Sequence, residues 1–574
     1  MNKAVYILGI HDGHNCGATV TRNGQVLASV SEERLTGRKN EVGYPRKSID
    51  EVIEISGIGP QELEKVVYAS NFMHSEKYLT NLEDWYCVGL GHQVADEKKP
   101  KDYLEIIFHQ RKREREQKVE EHLSVEKTNV HFVEHHLAHL AAAYYCSPKW
   151  HSHKKMLGLT CDGAGDNLSA TVSLCAPNSF NRLSATSRHA SLGKIYSRMT
   201  MLLGMKPWEH EYKLMGMAPY ADVKLTERAV IKLQTLLRLS EDGLSFEQAS
   251  DLSMNYCYEY LRKEFERVRF DIASSAVQQF TEEMLVAWIR SAILKTGVPD
   301  IVCGGGVFMN VKANMLVAEL PEVRSMFVMP SAGDESLSIG ACLYAFHSSD
   351  CGSMDPSTAI KHLYLGADYS EDEELDAISY IGDFKNLLVH HSDDTDKIAA
   401  ELLAQGQVVA RCKGRMEWGA RSLGNRSILA PANDYRVVDT INAMIKMRDF
   451  WMPFAPAIID ECKENYFDDP KKIEPEFMTF AFPVKHGKRE ELIAGSHPRD
   501  HTIRPQVVRF STNPNFHSLM KNYEALTGSG VLLNTSFNLH GEPIVRGPKE
   551  AIRVLQSSGL RHLILNNYHI SKVD

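Results

Sequence analysis

The feature that most constrains this chain is a repeat of its own opening. Residues 6–20, YILGIHDGHNCGATV, return about 150 residues later as 156–172, MLGLTCDGAGDNLSATV. Each copy has a short apolar run, an Asp-Gly pair, a small polar loop containing Asn, and an Ala-Thr-Val entry into a second apolar run. Two short hairpins can match by coincidence, but a duplicated α/β unit explains the order of all four parts. In the first copy the second run continues as ATVTRNGQVLASVS, where Asn23-Gly24 between alternating residues predicts a two-residue hairpin.

A duplicated strand, Asp-Gly turn and strand resembles the actin-like, RNase H-like nucleotide-binding folds. There two such turns face each other across nucleotide phosphates, and acidic residues hold a cation. A third signal lies at 300–314, DIVCGGGVFMNVKAN, where an apolar strand runs into three glycines and a helix start. Glycines there let a ligand approach the backbone and leave helix N-terminal N–H groups for an anion or a ribose. A strand, a Gly333-Asp334 turn and a small-residue helix follow at 326–345. The Ser/Gly/Pro stretch HSSDCGSMDPST and the acidic YSEDEELD then predict a domain boundary near 355. Strand-like runs beyond it, QVVARC and VLLNTSF, predict a second α/β domain. The expected domains are therefore 1–355 and 356–574.

A chain of 574 residues is too long for one core. Its net charge of -9 disfavours a phosphate groove for nucleic acid. The dense basic run Arg111-Lys112-Arg113-Glu114-Arg115 leads into Glu116, Glu120 and Glu121, the alternation of a solvated helix face. Eleven cysteines, odd in number and without a CxxC pair, point to a reducing compartment rather than a disulfide framework. No long apolar segment of signal-peptide or membrane-spanning type is present, so a cytoplasmic protein without membrane contact is expected.

In VEHHLAHLAAAYYCSP, residues 133–148, His135 and His139 stand at i,i+4 and project from one helical face. With 25 histidines in the chain that spacing also arises by accident. It gains weight if Asp162 and Asp334, both at strand-end turns, converge on it. Two His and two Asp make a mixed N/O set suited to Fe(II), Mn(II) or Zn(II). Otherwise each Asp is an ordinary turn carboxylate capping its own backbone. His136 lies off the face and reads as structural. The stretch 411–448 carries Arg411, Lys413, Arg415, Arg421, Arg426, Lys446 and Arg448 among glycines and apolar residues, which favours anion binding over a plain basic surface.

These motifs, with SEERLTGRKN, EYKLMGMAPYA, CGGGVFMN, SAGDESLSIGA, GRMEWGARSLGNRSILA, NAMIKMRDFWMPFAPAI, RPQ and LLNTSFNLHGEPIV, resemble the NodU/CmcH carbamoyltransferases in order and over nearly the whole chain. The resemblance implies an N-terminal actin-like lobe with a metal and a nucleotide, where the carbamoyl group meets its acceptor. It also implies a C-terminal YrdC-like lobe where carbamoyl phosphate and ATP, with Mg²⁺, become carbamoyl adenylate. The acceptor would be a small molecule such as an antibiotic precursor, taken at a hydroxyl before an amine; a homodimer is left open.

On this carry-over His135, His139, Asp162 and Asp334 are the metal ligands. His14 falls on the family's N-terminal histidine, serving or assisting as general base or else orienting a phosphate. Lys213, Gly216, Gly305, Gly306 and Asn310 contact nucleotide. Arg421, Lys446, Arg448, Arg504, Asn534 and Ser536 bind carbamoyl phosphate and ATP. Asp271 is assigned to the acceptor cleft, and 72–110, with Trp85, Tyr86 and His92, to acceptor specificity. Two positions depart from the family pattern: Asn15 stands where an Asp is usual, and His540 where an Arg is usual. An actin-like small-molecule kinase would leave the HxxxH and the arginine-rich lobe without a purpose. A tRNA threonylcarbamoyl-type transferase would need an RNA surface that this charge does not favour. A non-catalytic nucleotide sensor would have lost the charged groups that are present here.

Overall fold

A computed structural model describes residues 4–72, 103–152, 155–348, 359–379 and 386–573 of the chain. Trp85, Tyr86 and His92, and the expected boundary at 355, lie outside the described residues. The chain divides into two compact units, Met1–Glu32 with Asn40–Ile360, and Glu33–Lys39 with Lys361–Asp574.

The first unit is a duplicated α/β structure, as the repeat predicts. Its strands are β1 (Tyr6–His11), β2 (Gly17–Arg22), β3 (Gln25–Ser31), β4 (Leu63–Ala69), β5 (Val130–Val133), β6 (Met156–Gly165), β7 (Leu168–Ala176), β8 (Ser179–Ser187), the small β9 (Leu237–Leu239) and β10 (Phe246–Gln248), β11 (Asp300–Gly304) and β12 (Ser325–Val328). One sheet runs β3-β2-β1-β4-β5 and the other β8-β7-β6-β11-β12, the same order read from corresponding edges. In both, the first three strands are antiparallel and the last two join parallel to the first. That is the order and sense of the actin-like, RNase H-like unit.

Each sheet has a two-residue hairpin with both turn residues at positive φ, the backbone whose twist matches that of the strands it joins. Asn23 and Gly24 have φ of 51° and 79°, and Asp166 and Asn167 have 47° and 68°.

The helix His135–Cys146 is buried all round, only Leu137 being partly exposed, which is how an apolar, alanine-rich helix sits inside a domain. The helix Leu337–His347 packs against it and against β1, β2 and β4, with Ile7, Val67, Val133, Leu337 and Phe346 in one apolar cluster. Small residues set how closely these elements approach: a Cβ on Gly340 would lie 1.9 Å from the carbonyl oxygen of Ala138. Asp12, just past β1, accepts two hydrogen bonds from the buried guanidinium of Arg115, at 2.9 and 2.6 Å, on the helix Tyr103–Leu123. Thus part of the expected solvated basic run is buried: Arg111 and Arg115 are 4% and 1% exposed.

The second unit is α/β as well. Its strands are β13 (Leu387–His391), β14 (Val409–Cys412), β15 (Arg426–Pro431), β16 (Ala455–Ile459), β17 (Phe482–Pro483), β18 (Thr502–Ile503), β19 (Gln506–Val508), β20 (Val531–Ser536), β21 (His562–Ile564) and β22 (Tyr568–Lys572). Eight of them form a mixed sheet ordered β13-β22-β21-β14-β15-β20-β16-β19. The helices Thr395–Ala404 and Pro514–Thr527 cover it through Leu403, Phe516, Leu519 and Tyr523. Among the described residues no helix is long and apolar enough to cross a membrane, and the nine described cysteines are free thiols.

Candidate functional site

The first unit gathers His135, His139, Asp162 and Asp334 so that one ligand atom from each lies within 4.8 Å of the others. The two histidines are one turn apart on a helix whose start is held by Glu134, which accepts the N–H groups of His136 and Leu137. Asp166, in the β6–β7 turn, accepts the His135 N–H at 2.8 Å and so ties that turn to the helix. Gly165 leaves room for the His135 ring, since a Cβ there would lie 2.1 Å from it. Asp162 comes from the end of β6, and Asp334 from the short turn Asp334–Ser336 that starts the next helix.

Serines orient both rings. Ser70 Oγ is 2.9 Å from His135 Nδ1, and Ser336 Oγ is 3.3 Å from His139 Nδ1. Both Nε2 atoms therefore face the carboxylates, the arrangement by which a ligating imidazole is usually fixed. His135 Nε2 is 3.1 Å from Asp162 and 3.7 Å from Asp334. His139 Nε2 is 3.6 and 3.5 Å from the same two carboxylates. It is buried and makes no hydrogen bond. Ligands held about 2.0–2.2 Å from one ion stand roughly 3–4.4 Å apart, and the four histidine–carboxylate separations, 3.1–3.7 Å, fall within that range, so these are residues that would hold a divalent cation.

The charges agree with that fit. Burial opposes the protonated form of His135, yet Asp334 and Asp162 outweigh it and raise its pKa to about 9. Burial likewise opposes ionisation of Asp334, and His14 and the neighbouring imidazoles overcome it, bringing its pKa to about 2. Two carboxylates that stay ionised at this depth call for positive charge among them. His136 differs: burial lowers its pKa to about 3, and its Nδ1 meets Thr160 Oγ1 at 2.8 Å, so it is a neutral structural residue.

Asp334 has a second neighbour. Its other oxygen is 3.3 Å from His14 Nδ1. The His14 ring stacks on Trp208 at 5.3 Å between centroids. The neutral His11, whose pKa burial lowers to about 4, places Nε2 3.1 Å from the His14 carbonyl oxygen, where it can donate.

The remaining expected residues divide. Gly306 donates its N–H to Asp162 Oδ1 at 3.2 Å, and Gly305 adopts φ of 97° beside the Cys161 carbonyl, so the glycine loop abuts the cluster. Asn310 instead caps the helix Val311–Glu319 and exchanges two hydrogen bonds with Gln278. Lys213 and Gly216 belong to the helix Glu211–Met217. Asp271, in the first turn of Phe270–Thr296, accepts from Nε and Nη2 of Arg269, and among the described residues no hydrogen bond or ion pair joins it to the cluster.

In the second unit, Lys446 is buried and donates to Ser536 and Asn538. Burial drives its pKa well below the ordinary lysine value, with Arg448 and Lys39 adding repulsion. Arg448 donates to Thr535 and lies over Phe454. Arg421 and Arg504 are partly exposed. Asn534 is committed to Ser422 and Gln506. Of the wider basic stretch, Arg411 and Arg426 donate to backbone carbonyls, Lys413 pairs with Asp396, and Arg415 donates to Gly366 and Leu365.

Sequence reasoning overlooked Ser70, Ser336, Asp166, His11 and Trp208. A search for ligand spacing sees ligands but not the residues that orient them. Only Asp166 had a signal, its place in the polar loop of the repeat.

Comparison with known proteins agrees with the architecture. The Carbamoyltransferase N-terminus model matches residues 6–343 and the Carbamoyltransferase C-terminus model residues 400–572. A nodulation protein, NolNO, of Sinorhizobium fredii is 30% identical over 98% of this chain and 79% of its own length. An uncharacterized protein of Methanocaldococcus jannaschii is 31% identical over 99% of this chain and all of its own. The 3'-hydroxymethylcephem-O-carbamoyltransferase of Amycolatopsis lactamdurans is 30% identical over 46% of this chain and 47% of its own. With both family models in chain order and a full-length relative, the chain is an enzyme that belongs to the carbamoyltransferase family.

Proposed function

We propose that this enzyme makes carbamoyl adenylate from carbamoyl phosphate and ATP and transfers its carbamoyl group to a hydroxyl of a small-molecule natural product. An amine is the less favoured acceptor. Asp334 supports this reading most directly, since one of its oxygens faces the imidazole pair and the other faces His14.

Residues 356–574 form the YrdC-like, adenylate-forming domain, with Arg421, Lys446, Arg448, Arg504 and Ser536 receiving the phosphates and Mg²⁺ accompanying ATP; Asn534 supports that site from behind. Carbamoyl phosphate is hydrolysed to carbamate and inorganic phosphate. A carbamate oxygen then takes the AMP group of ATP, and pyrophosphate leaves. The leaving group is thereby made good enough for attack by a neutral hydroxyl, and exclusion of water preserves the intermediate.

Residues 1–355 carry out transfer. His135, His139, Asp162 and Asp334 hold a divalent metal, iron(II) before Mn(II) or Zn(II), which when bound supplies Lewis acidity toward the donor's oxygens. The Gly305–Gly306 loop with Lys213 and Gly216 forms the nucleotide side, which Asn310 supports by capping Val311–Glu319, and Asp271 the acceptor side once released by Arg269. With Nδ1–H turned to Asp334, His14 presents Nε2 as the base. The acceptor oxygen bonds to the carbamoyl carbon, AMP leaves with the electrons of the broken bond, and the hydroxyl proton passes to His14. The reaction takes place in the cytoplasm.

The test is to incubate the protein with ATP, carbamoyl phosphate and Mg²⁺ and follow pyrophosphate, with Arg421→Ala as control. Release that the variant loses supports the reading. Absence of release with or without candidate alcohols contradicts it. His14→Asn should leave pyrophosphate formation intact while slowing carbamoyl transfer about 10²–10⁴-fold; full transfer would remove His14 as base.

A further inference from the structure

Beside the cluster is a group of cations that the proposed chemistry does not use. The helix Leu192–Leu202 begins against the Asp162-Gly163 turn: its capping residue Ser191 donates to the Gly163 carbonyl at 2.6 Å. Lys194, in the first turn of that helix, passes close over Gly163. Its ammonium lies 5.4 Å from the centre of the Trp208 ring, which in turn stacks on His14. The backbone N–H of Lys194 donates to Ser191 Oγ, but neither its ammonium nor the guanidinium of nearby Arg188 makes a hydrogen bond or ion pair among the described residues. Burial lowers the Lys194 pKa to about 8, Arg198 and Arg188 adding to the fall while the Asp162 and Asp334 carboxylates oppose it.

Trp208 is held with unusual care. It adopts φ of 66°, a left-handed backbone that bulky residues avoid. Its N–H is bound by the Glu211 carboxylate at 2.7 Å. Such strain is typical where a side chain must be aimed. Here it places the ring against both Lys194 and His14.

We infer that Lys194 and Arg188, walled by Trp208, form an oxyanion subsite that recognises a carboxylate or phosphate on the acceptor. Lysine supplies a point charge and arginine a fork, and the N-terminal amides of Leu192–Leu202 add positive potential. The subsite adjoins His14, the proposed base, through Trp208, and the glycine loop that would face nucleotide reaches the same Asp162-Gly163 segment through Gly306, so the probe is read with the nucleotide side filled. The inference rests on the proposed carbamoyl transfer and narrows its substrate class to anionic acceptors.

Inorganic phosphate serves as the probe. It is titrated into the full-length protein with AMP at saturation, following tryptophan fluorescence and subtracting the same titration of Trp208→Phe. A saturable Trp208 signal is expected. Lys194→Gln should weaken it about tenfold or more, and Lys194→Arg should restore it to within about threefold. A signal unchanged in Lys194→Gln overturns the subsite. A signal that appears only without AMP overturns the acceptor assignment, because the anion is then the nucleotide's own. Circular dichroism of each variant guards against misfolding. Pyrophosphate release by the wild-type protein is measured in parallel: its absence counts against carbamoyl adenylate formation, while its presence without a phosphate signal counts against the subsite alone.

Discussion

The two Asp-Gly pairs of the repeat, one just past β1 and the other in the irregular last residues of β6, lie at corresponding places in two sheets of the same strand order and have opposite fates. Asp12 follows β1, and its carboxylate is consumed by the buried Arg115, which also donates to the Ser70 carbonyl. Asp162 stands at the end of β6 and faces His135 and His139 instead. Duplication supplied two identical scaffolds, and the neighbours contributed by other elements decided what each carboxylate does. One turn anchors the helix Tyr103–Leu123, and the other forms part of the candidate centre.

The contrast can be broken at either turn. Asp12→Asn removes the negative charge beside the buried Arg115 and leaves it only neutral acceptors, the new amide oxygen and the Ser70 carbonyl, so a loss of about 3–5 kcal/mol is expected in urea unfolding. The pH dependence should follow. Burial would raise the Asp12 pKa, but Arg115 holds it below its ordinary value of 3.8. Its contribution is therefore complete above that value and fades as pH falls through the lower folded-state value. The variant should lose that part of the acid sensitivity.

Gly305→Ala tests the other half. Its backbone is left-handed, and the new Cβ would lie 2.3 Å from the Cys161 carbonyl oxygen, one residue before Asp162. Roughly 1–3 kcal/mol of stability should be lost, with weakened metal binding, by calorimetry on one sample. Ser191→Ala, which removes the cap of Leu192–Leu202 and a bond to the Gly163 carbonyl, should cost about 1 kcal/mol in thermal unfolding. Ser70→Ala should change stability least, yet reduce metal affinity about 10–100-fold, because its hydroxyl only orients His135.

Much of this was legible in the chain. The repeat announced two sheets because strand, turn and strand are local events with local signals. Asn23-Gly24 named its hairpin for the same reason, and HxxxH put two rings on one face because helical geometry does so wherever a helix forms. What stayed hidden was non-local. Asn310 and Asn534 look like ligand-binding residues in their motifs, but Gln278, Ser422 and Gln506 reach them from distant parts of the chain. Arg411 and Arg426 resemble phosphate binders until the fold buries them among carbonyls. The π-helical turn Asn442–Lys446 and the positive φ of Met447 set the backbone between Lys446 and Arg448, and nothing in IKMRDF shows this. Nor does SEERLTGRKN show that Glu33–Lys39 belongs with the C-terminal unit, since that grouping depends on residues hundreds of positions away.

The most direct test is divalent-metal binding to the wild-type, Asp162→Asn and Asp12→Asn proteins, each checked for folding and titrated with Fe(II), Mn(II) and Zn(II). One ion bound tightly by wild type and by folded Asp12→Asn, with affinity reduced at least about 100-fold in a stably folded Asp162→Asn, is the predicted result. Equal affinity in Asp162→Asn and wild type would contradict it, and would leave the four converging side chains as a structural network rather than a metal centre.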